Sequence, residues 1–365
     1  MERKKSQIDI LFQNKKKYVL LIVIFAIITF SLFITSLFVG QYKISFFETI
    51  KSIIGITNNA EANQIKNIIV NIRLPRSISA FLIGGVLSIA GLTYQCVFRN
   101  NLVSQDILGV STSSCVGAAI GIVLGLGSIY IQTLAFAFGI INLVLIFLLS
   151  SRIKLDKTLS LILSGILIGG AMSSVLAFIK YMANPETQLQ AIVFWTMGDI
   201  SSIDYKQLGF VVIPMVLSSA VIFIRSWNLN YFSLSDNEAK SLGVKINLNR
   251  IIFLICATVL VACSVSISGS IGWVGLVIPQ IVRLFVGNNN KYIVPLSFFM
   301  GSSFLLIVDI LNRIITTAEL PMSIISGLLG LPIFIICWFI SNKRKEKIIW
   351  LKLKIYPFNM TKNLA

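Results

Sequence analysis

Hydrophobic and polar positions along this chain alternate in long blocks. Runs of about twenty apolar residues recur near 18–40, 77–98, 107–127, 129–150, 158–182, 206–227, 250–268, 272–287, 293–312 and 321–341. A helix across a bilayer core of roughly 30 Å needs about that many residues. The pattern predicts an all-α polytopic membrane protein with about ten transmembrane helices. One stretch departs from it. Residues 267–287 are rich in glycine, hold Pro279 in their middle and carry Arg283 just beyond. Freed backbone groups survive at membrane depth only where neighbouring helices or a water-lined cavity satisfy them. A helix break at Pro279 is therefore expected, beside a path through the protein. Two polar regions are long enough to be elements themselves. In 42–66, Phe46, Phe47, Ile50, Ile53 and Ile54 recur at helical spacing, as in a helix lying at the membrane interface. In 228–250, SLSDNEAKSLGVKINLN offers serine and asparagine caps and a break at Gly243, which fits two short helices at an angle. Such a loop either rests on the membrane or docks a partner.

Charge sets the orientation. The 365 residues are 56% hydrophobic and 12% charged, where soluble domains carry roughly 25%. The net charge is +17. If ten spans alternate from a cytoplasmic N-terminus, all of the 31 Lys and Arg fall inside except Lys43, Lys51, Lys66, Arg73, Arg76, Lys180, Lys206 and Arg313. That bias predicts a multi-pass protein of the plasma membrane with both termini cytoplasmic, and it accounts for the charge without a nucleic acid. The organisation is a basic segment 1–17, one transmembrane domain 18–341 with a cytoplasmic loop 228–250, and a basic tail 342–365. Residues 1–17 lead into a long span without a small-residue cleavage site, so the first helix reads as retained. Cys96, Cys115, Cys256, Cys263 and Cys337 lie scattered in apolar segments and read as packing residues. With no histidine, no metal-site spacing and no phosphate-binding Gly-x-x-x-x-Gly-Lys-Ser/Thr loop, the chain is expected to hold no metal or cofactor and to hydrolyse no nucleotide.

Acidic residues bear on the energy source. Of fourteen, only Asp309 and Asp106 fall at membrane depth. Ion-coupled carriers place acids or histidines there, so an ion-coupled secondary transporter is the weaker reading. Asp309 and Arg313 stand four apart on one helix face and could pair. Arg73 and Arg76, flanking Pro75, either reach toward lipid headgroups or offer a positive patch to an acidic partner. Three arginines at the outer face run against the topological charge bias, which favours the partner.

These residues also carry a resemblance. RLPRSISAFLIGGVLSIAGLTYQCVFRNNLVSQDILGVSTSSCVGAA (73–119), FWTMGDIS (194–201), SDNEAKSLGV (235–244), GSIGWVGLVIPQIVRLFVG (269–287) and DILNRIITTAELPMSIISGLLGLPIF (309–334) resemble, in order, the blocks of permease subunits of ATP-driven importers for iron–siderophores, haem and vitamin B12. The resemblance covers about 68–340. It implies a type II ABC importer permease with ten helices, working beside a second permease subunit. Two cytoplasmic ATPase subunits bind the ATP, and an external substrate-binding protein delivers the cargo. It further implies that Arg73, Arg76 and Arg313 dock that binding protein. Asp236, Glu238, Ala239, Leu242 and Gly243 would seat in the ATPase, and Asn100, Leu102 and Thr158 would constrict the cytoplasmic end of the path. Ferric siderophores are the family's commonest cargo, with haem or cobalamin as alternatives. Two departures stand out. The family's Asn-Pro-Leu-Ala-x-Pro reads Asn100-Asn101-Leu102-Val103-Ser104-Gln105, and its Pro-His reads Pro279-Gln280.

Overall fold

The computed structural model describes residues 2–42, 60–315 and 320–355, and it is helical throughout. The interfacial positions Phe46, Phe47, Ile50, Ile53 and Ile54 lie outside the described residues. In chain order the helices are α1 (Glu2–Phe38), α2 (Ala60–Asn67), α3 (Leu74–Val97), α4 (Val110–Val123), α5 (Ser128–Arg152), α6 (Lys157–Met182) and α7 (Gln188–Met197). They continue with α8 (Tyr205–Ile224), α9 (Asp236–Ser241), α10 (Ile246–Ser268), α11 (Val274–Val286), α12 (Asn290–Ile315) and α13 (Met322–Ile355). A π-helical turn, Ile68–Arg73, joins α2 to α3, and a 3₁₀ turn, Ser226–Ser233, precedes α9.

Eight apolar helices are long enough to cross a membrane, and two shorter ones, α4 and α11, supplement them. The ten apolar runs thus become eight full spans and two half-length helices. The second span begins earlier than hydropathy alone places it. Residues 63–97 form one 35-residue rod, so Arg73 and Arg76 lie within it. Pro75 does not turn the chain there. It has no N–H to give the carbonyl four residues back, and the π-helical turn just before it absorbs the change of register.

Three helices make the interior. The apolar windows of α3, α10 and α12 are mostly buried, while less than a third of each of those of α1, α5, α6, α8 and α13 is buried, which leaves surface available to lipid or a partner. Close packing at the centre comes from glycine pairs. A Cβ on Gly84 would collide with the Gly301 carbonyl, and one on Gly91 with the Gly275 carbonyl. Small residues let helix backbones approach where lipid offers no hydrophobic incentive to associate. Tyr94, fully buried, spans from α3 to α10 and satisfies its hydroxyl on Thr258 at 2.9 Å.

The two half-length helices are the useful irregularity. The chain from 98 to 109 leaves α3 as turns and becomes helical only at Val110, where Asn142 from the middle of α5 donates to the Leu108 carbonyl at 2.9 Å. Residues 269–273 leave α10 and become helical only at Val274. Unwound backbone at this depth has to be satisfied from within the protein.

Candidate functional site

The end of the bundle where α1 finishes carries a charged cluster. Asp309 on α12 is fully buried and lies between two guanidiniums. Arg76 Nε donates to its Oδ1 at 2.6 Å, and Arg313, one helical turn on, pairs with its Oδ2. Arg313 also donates to the Ser36 carbonyl at 2.8 Å. Arg73 donates to the carbonyls of Leu37 and Phe38, each at 3.0 Å, and of Tyr42 at 2.7 Å. Arg73 and Arg313 therefore satisfy the last carbonyls of α1, where the helix dipole is negative. The sequence put three arginines at one outer surface. The structure gathers them at one end but buries them at 5%, 4% and 9% exposure. Among the described residues, Asp309 is the carboxylate that Arg76 and Arg313 share.

The two unwound segments meet at mid-depth. Gln105 Nε2 donates to the Ile271 carbonyl at 3.2 Å, and Gln280 Nε2 donates to the Asn101 carbonyl at 2.8 Å. Gln95 Nε2 reaches the carbonyls of Gly275 and Leu276, each at 3.3 Å, while its Oε1 accepts from Arg283. Pro279 was expected to mark the helix break. It lies instead inside continuous α11, and the break precedes it at 269–273. Proline lacks the N–H that would have bonded Gly275; Gln95 supplies that bond from α3. Both departures from the blocks this chain resembles sit here: Asn101 and Gln105, where the resemblance implies prolines, and Gln280, where it implies a histidine. Each takes part in the stitching.

On the same segment Asp106 is exposed in the single chain, between Gln105 and Leu108, whose partners fix their depth. A carboxylate at that depth faces water or protein, because lipid would penalise it by several kcal/mol. Asn100 and Leu102 lie exposed on the turn after α3, where the Asn100 side chain accepts from the Leu102 N–H at 2.9 Å. Thr158 sits in the first turn of α6 with its N–H held by Asp156. FWTMGDIS closes α7: the Gly198 carbonyl accepts from Met322 N and the Asp199 N–H donates to Ser268 O, both at 2.8 Å. Gln132, Trp195, Asp199 and Ser268 line a cavity of about 340 Å³ there.

Where two short helices were expected around Gly243, the polar loop holds one, α9; the helix that follows the glycine is the start of the spanning α10. Ser235 opens α9 with a reciprocal capping box to Glu238. Those hydrogen bonds, from the Ser235 N–H and hydroxyl, hold the Glu238 carboxyl below the usual range. Asp236 points inward between two arginines. Arg99 Nη2 meets it at 2.6 Å and Arg250 at 3.0 Å, and Arg99 also donates to the Phe232 carbonyl at 2.7 Å. Burial pushes the Asp236 carboxyl up, but hydrogen bonds and charge from Arg250 and Arg99 outweigh it, and the net displacement is downward. Ala239 is fully buried, Leu242 is 65% exposed, and Gly243 turns the chain at φ +76° with open space around it. The five residues thus divide. Asp236 and Ala239 hold α9 in place, while Glu238, Leu242 and Gly243 face outward.

A model of the FecCD transport family matches residues 24–340. The chain belongs to the FecCD transport family. This FecCD chain is 36% identical over 318 residues to the molybdate import system permease protein MolB of Haemophilus influenzae, covering 86% of this chain and 92% of that one. It is 39% identical over 287 residues to an iron chelatin transport system permease protein of Helicobacter pylori strain 26695, covering 79% and 86%. Among solved structures, a metal-chelate type ABC transporter in an inward-facing conformation superposes with a TM-score of 0.80 at 33% identity, covering 87% of this chain and 98% of that one. The chain is thus a multi-pass ABC importer permease of type II architecture. The family match begins at residue 24, ahead of the 68–340 stretch whose blocks carry the resemblance.

Two features of the FecCD site were outside the reach of sequence reasoning. The partnership of Arg76 with Asp309 spans 233 positions, and Arg99, a member of none of the expected sets, proves to be the residue that joins the α3 turn to α9.

Proposed function

We propose that this chain is the permease of an ATP-driven importer of an iron chelate of the ferric siderophore class, set in a bacterial cytoplasmic membrane with its basic end inside. One observation carries the mechanical half of this reading. The helix α9 is capped, clamped through Asp236 to two separate elements, and presents Glu238 and the exposed Leu242 to the basic side. A short rigid helix with an outward apolar knob suits a groove in a cytoplasmic ATPase. Two ATPase subunits and a second permease chain complete the assembly, and the exposed faces of α6 and α13 supply area for that second chain. The binding protein docks at the opposite end of the bundle, where Arg73, Arg76 and Arg313 gather. Charge of this kind sets encounter rate and orientation more than final affinity. Asn100, Leu102 and Thr158 narrow the inner mouth of the path, and Asp106 lines it higher up.

Iron chelate as cargo is supported by the 39% identity to the Helicobacter pylori permease. Molybdate is the second reading, supported by the longer match to MolB. Uptake of radioactive iron supplied as a panel of siderophores and as haem, beside labelled cobalamin and labelled molybdate, tests the proposal in cells lacking the gene and in complemented cells. Loss of one ferric chelate, restored by the gene, is the expected result. Loss of molybdate or cobalamin uptake alone would transfer the assignment to that cargo.

A further inference from the structure

The α9 clamp and the mid-depth junction are joined by one stretch of seven residues. At its basic end, Arg99 holds Asp236 of α9 and the Phe232 carbonyl of the 3₁₀ turn. Two residues on, the Asn101 carbonyl accepts from Gln280 of α11. Four further on, Gln105 donates to the Ile271 carbonyl in the unwound segment. Beside this stretch a cleft of about 320 Å³, lined by Arg99, Asn101, Phe232 and Arg283, stands between the 3₁₀ turn and α11. Among the described residues, two that are not glycine adopt left-handed φ: Arg99 at +52° and Trp273 at +71°. They stand at the two ends of the linkage. A bulky residue held at positive φ persists only where its surroundings over-determine it, and such positions gather at switches and functional junctions.

We propose that residues 99–105 transmit the displacement of α9 to the mid-bilayer junction, with Arg99, Gln105 and Gln280 as its positioning residues. The stretch is pinned at three points to elements that must move together if ATPase closure is to open or shut the path. Arg99 receives the push, Gln280 makes α11 follow, and Gln105 carries it to 269–273. The donors matter more than the side-chain volume, because each pin is an N–H to a backbone carbonyl or a guanidinium to a carboxylate. This rests on α9 being the ATPase-facing helix.

The test uses the complete transporter in proteoliposomes and needs no knowledge of the cargo. Ser104, half-buried on the stretch, is changed to cysteine, and its modification by a hydrophilic maleimide is timed with and without vanadate-trapped nucleotide. A several-fold change in labelling rate on trapping is expected in that background. Gln280→Glu, Gln105→Glu and Arg99→Ala should each abolish the change while ATP hydrolysis continues, because Glu keeps the shape and loses the donor. Gln280→His, which keeps a donor, should restore it. An undiminished trapping effect in the Glu variants, or equal behaviour of Gln280→His and Gln280→Glu, would overturn the linkage. Leu242→Asp serves as the control on the premise. If the ATPase is retained and its activity unaltered in that variant, the assignment of α9 fails. If retention falls while the glutamine variants transmit normally, the linkage alone fails.

Discussion

Replacing Asp309 with asparagine tests the far-end cluster most directly. Asp309 is fully buried, and the side chains of Arg76 and Arg313 beside it are 5% and 7% exposed. Among the described residues, this one carboxylate lies between the two buried guanidiniums. Asparagine preserves the shape and offers one carbonyl, but it removes the negative charge that both buried guanidiniums share. Removing one member of a buried ion pair typically destabilises by about 3–5 kcal/mol, because an uncompensated charge remains in low dielectric. At about 1.4 kcal/mol per tenfold, that is on the order of a hundred- to a few-thousand-fold in the folding equilibrium. The midpoint of thermal unfolding of the purified transporter in mixed micelles measures it. Arg76→Met added to Asp309→Asn should recover part of the loss, since one of the two facing charges is then gone. The docking role predicts an opposite sign for a second quantity in the same protein. Net charge at the cluster rises by one, so association of the binding protein with the surviving folded Asp309→Asn transporter should accelerate at low salt. An unfolding midpoint within about 0.5 kcal/mol of the parent, the range of an ordinary surface substitution, would refute the burial argument. An unchanged association rate would remove the cluster from docking.

Leu242→Asp, which charges the exposed knob of α9, should lower retention of the ATPase subunits during purification, read as subunit stoichiometry, and leave the membrane helices folded. Asp106→Cys should react with a hydrophilic maleimide in the assembled transporter, whereas a lipid-facing position would stay unlabelled; the five native cysteines are buried or half-buried and form the control background. Gly91→Ala places a methyl against the Gly275 carbonyl and should destabilise by roughly 1–3 kcal/mol through overpacking, seen as a lower yield of assembled transporter and a lower unfolding midpoint. The carboxyl of Asp236 is held below its ordinary pKa of about 3.9, so the stabilisation its ion pairs give is present above that value and lost only as pH falls through the lower folded one. Uptake should therefore show no loss attributable to this clamp between about pH 5.5 and 8, and Asp236→Asn should lower uptake by a similar factor across that range.

What was legible in the sequence was whatever depends on period and composition. The ten apolar runs reappear because about twenty apolar residues in a row have few alternatives in a bilayer, and the Asp309–Arg313 pair was visible because four residues make one helical turn. The capping box at Ser235 and the turn at Gly243 were readable for the same local reason. Long-range partners were not. Nothing near Arg76 in the chain points to Asp309, and the bias in charge that marked three arginines as unusual could not say whether they face water or one another. Arg73 and Arg313 are buried where α1 ends beside them with carbonyls that need donors, and Arg76 is buried against Asp309. Pro279 shows the same limit. Proline signalled a defect in the hydrogen-bond ladder, and the defect is present at the Gly275 carbonyl, yet the helix continues because Gln95 of α3 supplies the missing donor. The true interruption lies a turn and a half earlier, where glycine-rich backbone is stitched by Gln105. Of the three positions at which this chain departs from the blocks it resembles, Gln105 and Gln280 are donors to backbone carbonyls at that seam and Asn101 supplies one of the accepting carbonyls. A proline at 105 would have no donor to give Ile271. Gln105 thus ties the two unwound segments together, and Gln280 ties α11 to the turn at Asn101, each as a donor to a backbone carbonyl.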